Sequence, residues 1–271
     1  MVLPFIKRIL ILLTGNPFAQ SALGYCASKC QYLMGIGSAS DVGCSGEVGV
    51  VRMVRRFSHP PYCIFDVGAN KGQFLNMVTT EIGPERCIVH CFEPASDSFN
   101  ALKQNAPKSP NIVLNKFGLG KKRGTFSIFY DEPGSGSASL TKRRLDHFGV
   151  FFSHTEQVQI DTVDNYCRLN NINHIDLLKI DVEGHEMDVL LGATHMFEKG
   201  SIGLVNFEFG GCNIDTRTFF QDFFYWFKTV SMKLYRITPS GYVHPLPHYL
   251  ETYEQFRTTN FLAIHTVLDK Q

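Results

Sequence analysis

Two acidic side chains, Asp66 and Glu93, each end a short apolar run that is typical of a buried strand. A glycine turn, Gly68 to Gly72, follows the first run and would let backbone approach a ligand closely, and apolar residues at helical spacing after it predict a helix. The two glycines are four apart, so the dinucleotide pattern G-x-G-x-x-G is not met. An acid about 20 residues past such a turn is where a doubly wound fold binds a ribose. This spacing favours an adenosine-containing ligand without a pyrophosphate, for which S-adenosylmethionine is the natural candidate.

A second group of ionisable side chains follows the apolar run that begins at Leu177. Lys179, Asp181 and Glu183 alternate along the chain and would share one face of a strand, and His185 comes next. With S-adenosylmethionine as the ligand, the reaction is an in-line displacement, and a hydroxyl acceptor needs a base or a metal to help remove its proton. Histidine titrates near neutral pH, so His185 is the best general base by residue type.

Asp181 has three open assignments. It would orient His185, accept the proton itself, or bind a divalent cation. Together with Glu183 and Glu208 it offers hard oxygen ligands that suit Mg²⁺. Lys179 would instead pair with one of these acids. The alternative for the whole group is a structural network of ion pairs at a strand end.

The elements that must position these residues alternate between strand and helix from Tyr62 onward. This alternation predicts a doubly wound α/β sheet of about seven strands with a hairpin-like end, and it leaves the strand order open. The stretches that favour strand are 62–66, 87–92, 112–115, 125–130, 158–163, 177–180, 202–209, 233–237 and 261–265.

Residues 131–149 show no periodicity and are predicted to form a long loop, which in a compact domain is usually functional or disordered. The loop is rich in Gly and Ser and contains a basic run, Lys142 to Arg144. As a lid it would close over a substrate, and the basic run would meet a phosphate. The run is equally compatible with a solvated surface.

Composition sets bounds on the partners and the compartment. The chain has 271 residues, 44% of them hydrophobic and 19% charged, which is ordinary for a globular protein. A net charge of +1 argues against nucleic acid as a partner. The eight cysteines form no zinc-binding pattern, and we expect a reducing, cytoplasmic compartment.

The N-terminal segment is apolar from Phe5 to Leu13 but is interrupted by Lys7 and Arg8. Its uninterrupted part is too short for a membrane span and short for a signal peptide. We expect an amphipathic helix packed on the domain or on a partner subunit, which would allow a homodimer. This interpretation is preferred to a peripheral membrane contact.

Three motifs resemble the FkbM-type S-adenosylmethionine-dependent methyltransferases. They are Phe-Asp-Val-Gly-Ala-Asn-Lys-Gly at 65–72, Phe-Glu-Pro at 92–94 and, most specific, Leu-Lys-Ile-Asp-Val-Glu-Gly-His-Glu at 178–186. Asn-Phe-Glu at 206–208 and Ser-Ala-Ser-Leu at 137–140 are also similar. The resemblance implies a Rossmann-like class I methyltransferase fold with an antiparallel last strand. It also implies O-methylation of a sugar, a glycan or another natural product.

The resemblance further implies where the ligands bind and how the chain is divided. The residues around the amino-acid end of the cofactor would be Asp66, Gly68, Ala69, Asn70 and Gly72. Glu93 would bind the ribose hydroxyls, and Phe117 and Gly118 would lie near the adenine. The methyl-transfer end would hold Lys179, Asp181, Glu183 and His185. Residues 1–60 would form a helical extension or cap, and residues 61–271 the S-adenosylmethionine-binding domain.

Three other functions fit the sequence less well. A nicotinamide oxidoreductase on a similar sheet would carry the G-x-G-x-x-G turn that is missing here. A nucleic-acid amino-methyltransferase would carry Asp/Asn-Pro-Pro-aromatic after its fourth strand, whereas here His59 precedes Pro-Pro-Tyr ahead of the first strand. A non-catalytic binding protein of the same fold stays open, although acids at both strand ends argue against it. The residues do not determine which acceptor is used.

Overall fold

The computed structural model describes residues 2–39, 43 and 45–270. The helices of this part of the chain are α1 (Val2–Thr14), α2 (Pro17–Leu33), α3 (Glu47–Phe57), α4 (Gln73–Ile82), α5 (Ser96–Asn105), α6 (Val163–Leu169), α7 (Glu186–Leu191), α8 (Thr194–Glu198), α9 (Cys212–Thr216) and α10 (Phe220–Thr229). The strands are β1 (Tyr62–Val67), β2 (Cys87–Phe92), β3 (Ile112–Asn115), β4 (Gly118–Leu119), β5 (Gly124–Tyr130), β6 (His154–Asp161), β7 (Ile175–Ile180), β8 (Ile202–Phe209), β9 (Met232–Ile237), β10 (Val243–Pro245) and β11 (Thr259–His265).

An eight-stranded sheet forms the centre, in the order β10-β9-β11-β8-β7-β1-β2-β3. Strands β8, β7, β1, β2 and β3 pair in parallel, and β11, the last strand, is antiparallel to both of its neighbours. This arrangement confirms the predicted class I methyltransferase architecture. The short edge strand β10 was not predicted, because three residues that include Pro245 carry no readable periodicity.

Helices cover both faces of this sheet, and the central strands are therefore buried on both sides. Alternate residues of β1 show the division: Ile64 packs with α3, α4 and α5, whereas Phe65 packs with α6, α7, α8 and α10. The Phe-rich helix α10 buries three of its rings, and two of them stack on or tilt against Phe207 of β8. Burial of these apolar side chains supplies the main driving force for the fold.

A second sheet of three strands, in the order β4-β6-β5, lies beside the first. Its long pair, β5 and β6, is antiparallel and runs from Gly124 opposite Ile160 to Tyr130 opposite His154. The predicted strands at 125–130 and 158–163 thus belong to a separate sheet, and the second of them begins four residues earlier than expected. The predicted loop at 131–149 connects them and contains only one short 3-10 turn, at Asp146–Phe148.

The N-terminal helices differ in their burial. Helix α3 inserts Val50, Val51 and Val54 into the core. Helix α1 exists as predicted, but its residues 10–13 are exposed, so the expectation that it packs on the domain is wrong. The reason is visible in its sequence, because consecutive apolar residues spread around a helix and cannot all face one side. Within the described residues, no helix is both long enough and apolar enough to cross a membrane.

Candidate active site

The glycine turn after β1 brings backbone against the end of β7. Gly68 has a φ of +83°, and a Cβ built on it would lie 1.8 Å from the carbonyl oxygen of Asp181, so no larger residue fits without a shift of the backbone. The N–H of Asn70 donates to Glu93 Oε2 at 2.9 Å. The turn is therefore tied to the end of β2, as the two motifs require.

Glu93 is a buried carboxyl at the end of β2. Its Oε1 accepts a hydrogen bond from the N–H of Ala95 at 2.8 Å. Burial raises the pKa of Glu93 to about 7, and the two backbone N–H groups that it accepts from limit that rise. The ionised carboxyl has lone pairs left to accept hydrogen bonds from ligand hydroxyls.

Glu93 lines a cavity, here called the loop cavity, between the glycine turn, the end of β2 and the second sheet. Its lining residues are Val67, Gly68, Asn70, Glu93, Pro94, Ser98, Gly118, Leu119, Ile128, Ser135, Gly136, Ala138, Leu140, Ile160, Asp181, Val182, Glu183 and His185. The second sheet supplies an apolar wall through Leu119, Ile128 and Ile160. Sequence reasoning missed this wall, because it detected β5 and β6 without showing where they dock.

A row of polar side chains crosses the main sheet in register. Asp66 on β1 pairs with Lys179 on β7, which pairs with Asn206 on β8. Lys179 Nζ lies 3.0 Å from Asp181 Oδ2 and 3.9 Å from Asp66 Oδ1. Burial lowers the pKa of Lys179, but the carboxylates of Asp181, Asp66 and Glu47 outweigh that effect and hold it above its usual range. Lys179 is therefore a charged amine inside a ring of acids.

Asp66 lies directly beneath the glycine turn and is fully buried. Neither of its carboxylate oxygens has a hydrogen-bond partner within the described part of the chain. Burial raises its pKa to about 6, and the nearby Lys179 limits the rise. A buried carboxyl without partners is costly, which is typical of a functional position and not of a structural one.

A buried acid holds the turn after β7. Glu183 has a φ of 54° and Gly184 one of 103°. The carboxylate of Glu186 accepts hydrogen bonds from the N–H groups of Gly184 at 3.0 Å and Val182 at 3.2 Å. The turn is thus rigidly shaped from within, and Asp181, Glu183 and His185 all reach the loop cavity from it.

His185 has a partner for each ring nitrogen. Its Nδ1 lies 2.8 Å from Asp188 Oδ2, and its Nε2 lies 3.0 Å from Thr141 Oγ1. Asp188 is on the same turn of chain and fixes the orientation of the ring, whereas Thr141 belongs to the loop between β5 and β6. Neither partner was singled out from the sequence, because neither stands in a motif.

The loop between β5 and β6 folds over the turn after β7. Ser139 Oγ donates to the carbonyl oxygen of Glu183 at 2.8 Å. The Arg143 guanidinium pairs with the carboxylate of Glu183 and lies 3.6 Å from that of Asp215. Arg144, its neighbour in the basic run, is exposed to solvent. The basic run is therefore not a single solvated face, since its central residue is drawn inward by two acids.

A second cavity, here called the carboxylate cavity, adjoins the first. Its lining residues are Ala39, Gly68, Ala69, Asn70, Gln73, Phe74, Gly136, Ser137, Arg143, Lys179, Asp181, Glu183, Glu208, Cys212 and Thr258. Burial and the charge of Asp181 raise the pKa of Glu183 to about 8, against the opposing effect of Arg143. Burial, followed by the charges of Asp181 and Glu183, also raises the pKa of Glu208 well above its usual range. Five residues belong to both cavities: Gly68, Asn70, Gly136, Asp181 and Glu183.

The predicted metal ligands, Asp181 and Glu208, both line the carboxylate cavity. Among residues 2–39, 43 and 45–270, no three His, Cys, Asp or Glu side chains are arranged to hold a metal ion. A divalent cation at Asp181 would also meet the ammonium group of Lys179 at close range. This donor set does not fit Mg²⁺, which prefers anionic oxygen ligands.

The structure gathers most of the residues that the sequence singled out. Ala69, Lys179 and Glu208 line the carboxylate cavity, Gly118 and His185 line the loop cavity, and the shared wall holds four more. Three line neither cavity: Asp66 lies beneath the turn, Gly72 is the N-cap of α4, and Phe117 packs against Phe92 and Tyr166.

Relatives of known type share these motifs. The chain is similar to the hexuronic acid methyltransferase AglP of Haloferax volcanii, with 27% identity over 166 residues, which is 61% of this chain and 64% of that protein. It is also similar to the 2-O-methyltransferase NoeI of Sinorhizobium fredii, with 24% identity over 158 residues, 55% of this chain and 64% of that protein. The chain thus spans somewhat less than two thirds of the length of these relatives.

A solved structure and a family model complete the comparison. The crystal structure of methyltransferase FkbM from Methylobacillus flagellatus KT covers 83% of this chain and 56% of its own, with a TM-score of 0.45 and 12% identity. The methyltransferase FkbM domain matches residues 66–237, which extend from the end of β1 to the end of β9 and include both cavities' acids. The chain belongs to the FkbM methyltransferase family.

Proposed function

We propose that this protein is an S-adenosylmethionine-dependent O-methyltransferase that acts on a hydroxyl of a sugar, a glycan or a glycosylated small molecule. The observation that carries the proposal is the wall shared by the two cavities, because it brings a nucleoside-sized apolar site beside a site rich in carboxylates. Asp181 and Glu183 stand in that wall. The family, and the sugar-directed names of two relatives, support the same assignment.

In this proposal the loop cavity binds the cofactor, which supplies a methyl group already activated on a sulfonium. Glu93 accepts hydrogen bonds from the ribose hydroxyls, and Gly118 and Ile160 flank the adenine. The backbone at Gly68 and Asn70 borders the amino-acid end, above the unpartnered carboxyl of Asp66. These groups bind and orient the cofactor, and the loop over the site excludes water.

The carboxylate cavity binds the acceptor, because ionised acids accept hydrogen bonds from sugar hydroxyls. Asp181 takes the proton of the reacting hydroxyl as its oxygen forms a bond to the methyl carbon and the carbon–sulfur bond breaks. Lys179, 3.0 Å from Asp181 Oδ2, keeps that carboxyl ionised and in place. His185 is the second candidate for the base, and it would have to release Thr141 first.

The compartment proposed for this reaction is a reducing one, such as the cytoplasm. Its support is that every cysteine in the described part of the chain is free, including the buried Cys87, Cys91, Cys167 and Cys212. Disulfides are rare in such compartments, and buried thiols act there as small apolar side chains.

Thermal unfolding with added ligands tests the cofactor assignment. S-adenosylmethionine and S-adenosylhomocysteine at about 100 times their dissociation constants should each add about 2.7 kcal/mol to the free energy of unfolding. NAD at the same concentration serves as the control and should add nothing. Stabilisation by NAD alone would overturn the assignment and indicate an oxidoreductase.

Transfer of a labelled methyl group tests the acceptor class. A panel would compare a hexuronic acid, a neutral hexose and a phosphorylated hexose, each with the free sugar hydroxyls intact. Label in any of these products that base treatment does not remove identifies an ether and supports O-methylation of a sugar. Label released by base would instead identify a methyl ester on the uronic acid and would contradict the proposal.

A further inference from the structure

The first two helices form a hairpin whose apolar side chains lie outside the core. Helices α1 and α2 contact each other, and α2 has no buried residue. Leu10 is 56% exposed, Leu12 80%, Phe18 85% and Leu33 72%. Isolated exposed apolar residues are ordinary, but a continuous set over two adjacent helices marks an interaction surface.

The same segment has a one-sided charge. Residues 1–34 contain Lys7, Arg8 and Lys29 and no acid, and all 25 acidic residues of the chain come later. All three basic side chains are exposed. The rest of the chain is slightly acidic, since it holds 23 of the 26 basic residues against those 25 acids. The hairpin is thus both the most exposed apolar part of the molecule and its most positively charged segment.

The hairpin is joined firmly to the catalytic body at one end only. Arg236 Nε donates to the carbonyl oxygen of Met34 at 2.7 Å, and the Arg257 guanidinium donates to Gln31 and Ser28. These contacts fix the C-terminal end of α2 and leave its start and all of α1 beyond the body. Docking of the hairpin would therefore orient the whole molecule.

We propose that the α1–α2 hairpin docks on the face of an anionic lipid bilayer. Its apolar side chains would enter the boundary between headgroups and acyl chains, and its basic side chains would meet acidic headgroups. A second copy of the chain is a poorer occupant, because that contact would bring two acid-free, basic segments together with nothing to neutralise them. The helices have 13 and 17 residues, short of the roughly 20 that a span needs, so each lies along the surface.

Co-sedimentation of the full chain with vesicles tests this proposal. We expect binding to vesicles that contain phosphatidylserine, weaker binding to phosphatidylcholine alone, and a decrease with added salt. The double variant Leu12→Gln/Phe18→Gln should lose binding to both. The double variant Lys7→Gln/Arg8→Gln should bind phosphatidylserine vesicles roughly 30-fold more weakly, because each basic side chain near such a surface contributes about fivefold.

The matched control is Lys116→Gln/Lys121→Gln, which removes two exposed lysines from the body and leaves the hairpin intact. It should bind vesicles like the unaltered protein. All variants should keep the unfolding temperature of the unaltered protein, since none changes a buried residue. Equal sedimentation of the hairpin variants and the control would overturn the proposal, as would a complete lack of binding. So would a dimer in solution that Leu12→Gln/Phe18→Gln converts to monomer, because the occupant would then be a second copy.

Discussion

The carboxyl of Glu93 combines burial with a place in the wall of the loop cavity, and these two properties make cofactor binding sensitive to pH. Its pKa is raised to about 7 by burial. Ribose hydroxyls donate best to the ionised form, so binding requires loss of a proton below that pKa. Affinity is therefore complete above the pKa and lost as the pH falls through it.

From this we predict that S-adenosylhomocysteine binds about tenfold more weakly at pH 6 than at pH 8, as expected for a group with a pKa near 7. Titration calorimetry across that range would measure the change. Glu93→Gln is the control, because it removes the titrating group: its affinity should be lower and nearly independent of pH. A pH dependence that survives in Glu93→Gln would assign it to another group, with the buried Asp66 as the first to examine.

The choice of base is also decided by single residues. Asp181→Asn should reduce methyl transfer by roughly 10²- to 10⁴-fold, the usual contribution of a general base, and should leave cofactor binding unchanged. Asp188→Asn is the matched comparison, since it alters the group that orients His185 without touching Asp181. It should reduce transfer by less than about tenfold. Transfer rates that rank the two variants the other way would identify His185 as the base.

At this scale, motifs in the sequence were sufficient to identify the acids and glycines that meet at the strand ends. They were not sufficient for the partners of those residues. Thr141 and Arg143 reach His185 and Glu183 from a loop some 40 residues earlier in the chain, and no local pattern encodes such contacts. Phe117 was predicted near the adenine because it precedes Gly118, but its side chain points into the core.

Among the elements, the turn after β1 has the tightest steric requirement. Gly68→Ala would place a Cβ against the Asp181 carbonyl oxygen, and neither backbone segment can move without disturbing the pairing of β1 with β7. We predict a loss of several kcal/mol in the free energy of unfolding, beyond the roughly 1–2 kcal/mol that a positive φ costs a non-glycine residue. Urea denaturation would measure the loss.

Gly149→Ala is the control for that experiment. Gly149 also has a positive φ, +72°, but a Cβ there would have no atom within 4 Å. It should therefore lose only the conformational part, about 1–2 kcal/mol. Equal losses in the two variants would mean that the contact with Asp181 contributes nothing.

Strands and helices of the sheet were predictable because their apolar periodicity is long and regular. Strand β3, for example, begins and ends where the sequence indicates. The three-residue strand β10 and the two-residue strand β4 were not, since runs of that length carry no period. Their pairing depends on neighbours distant in the chain, which supply the missing hydrogen bonds.

At the scale of the whole molecule, the order of the strands determines the site. Placing β1 between β2 and β7 sets Asp66 opposite Lys179, although 113 residues separate them. The sequence could predict that each strand ends in a polar residue. It could not predict which ends are neighbours, because that depends on contacts across the whole chain.

The predicted division at residues 60 and 61 separates α3 from the sheet that it covers, and two truncations would test it. A chain of residues 35–271 should unfold with a free energy within about 1–2 kcal/mol of the full chain, because it loses the exposed hairpin and a few hydrogen bonds to Arg257. A chain of residues 61–271 also loses Val50, Val51 and Val54, which are fully buried. At about 1.5–3 kcal/mol each, these valines approach the whole stability of a typical domain, so this chain should show no cooperative transition in urea. A cooperative transition in residues 61–271 would show that α3 is dispensable and that the core of the methyltransferase domain begins at β1.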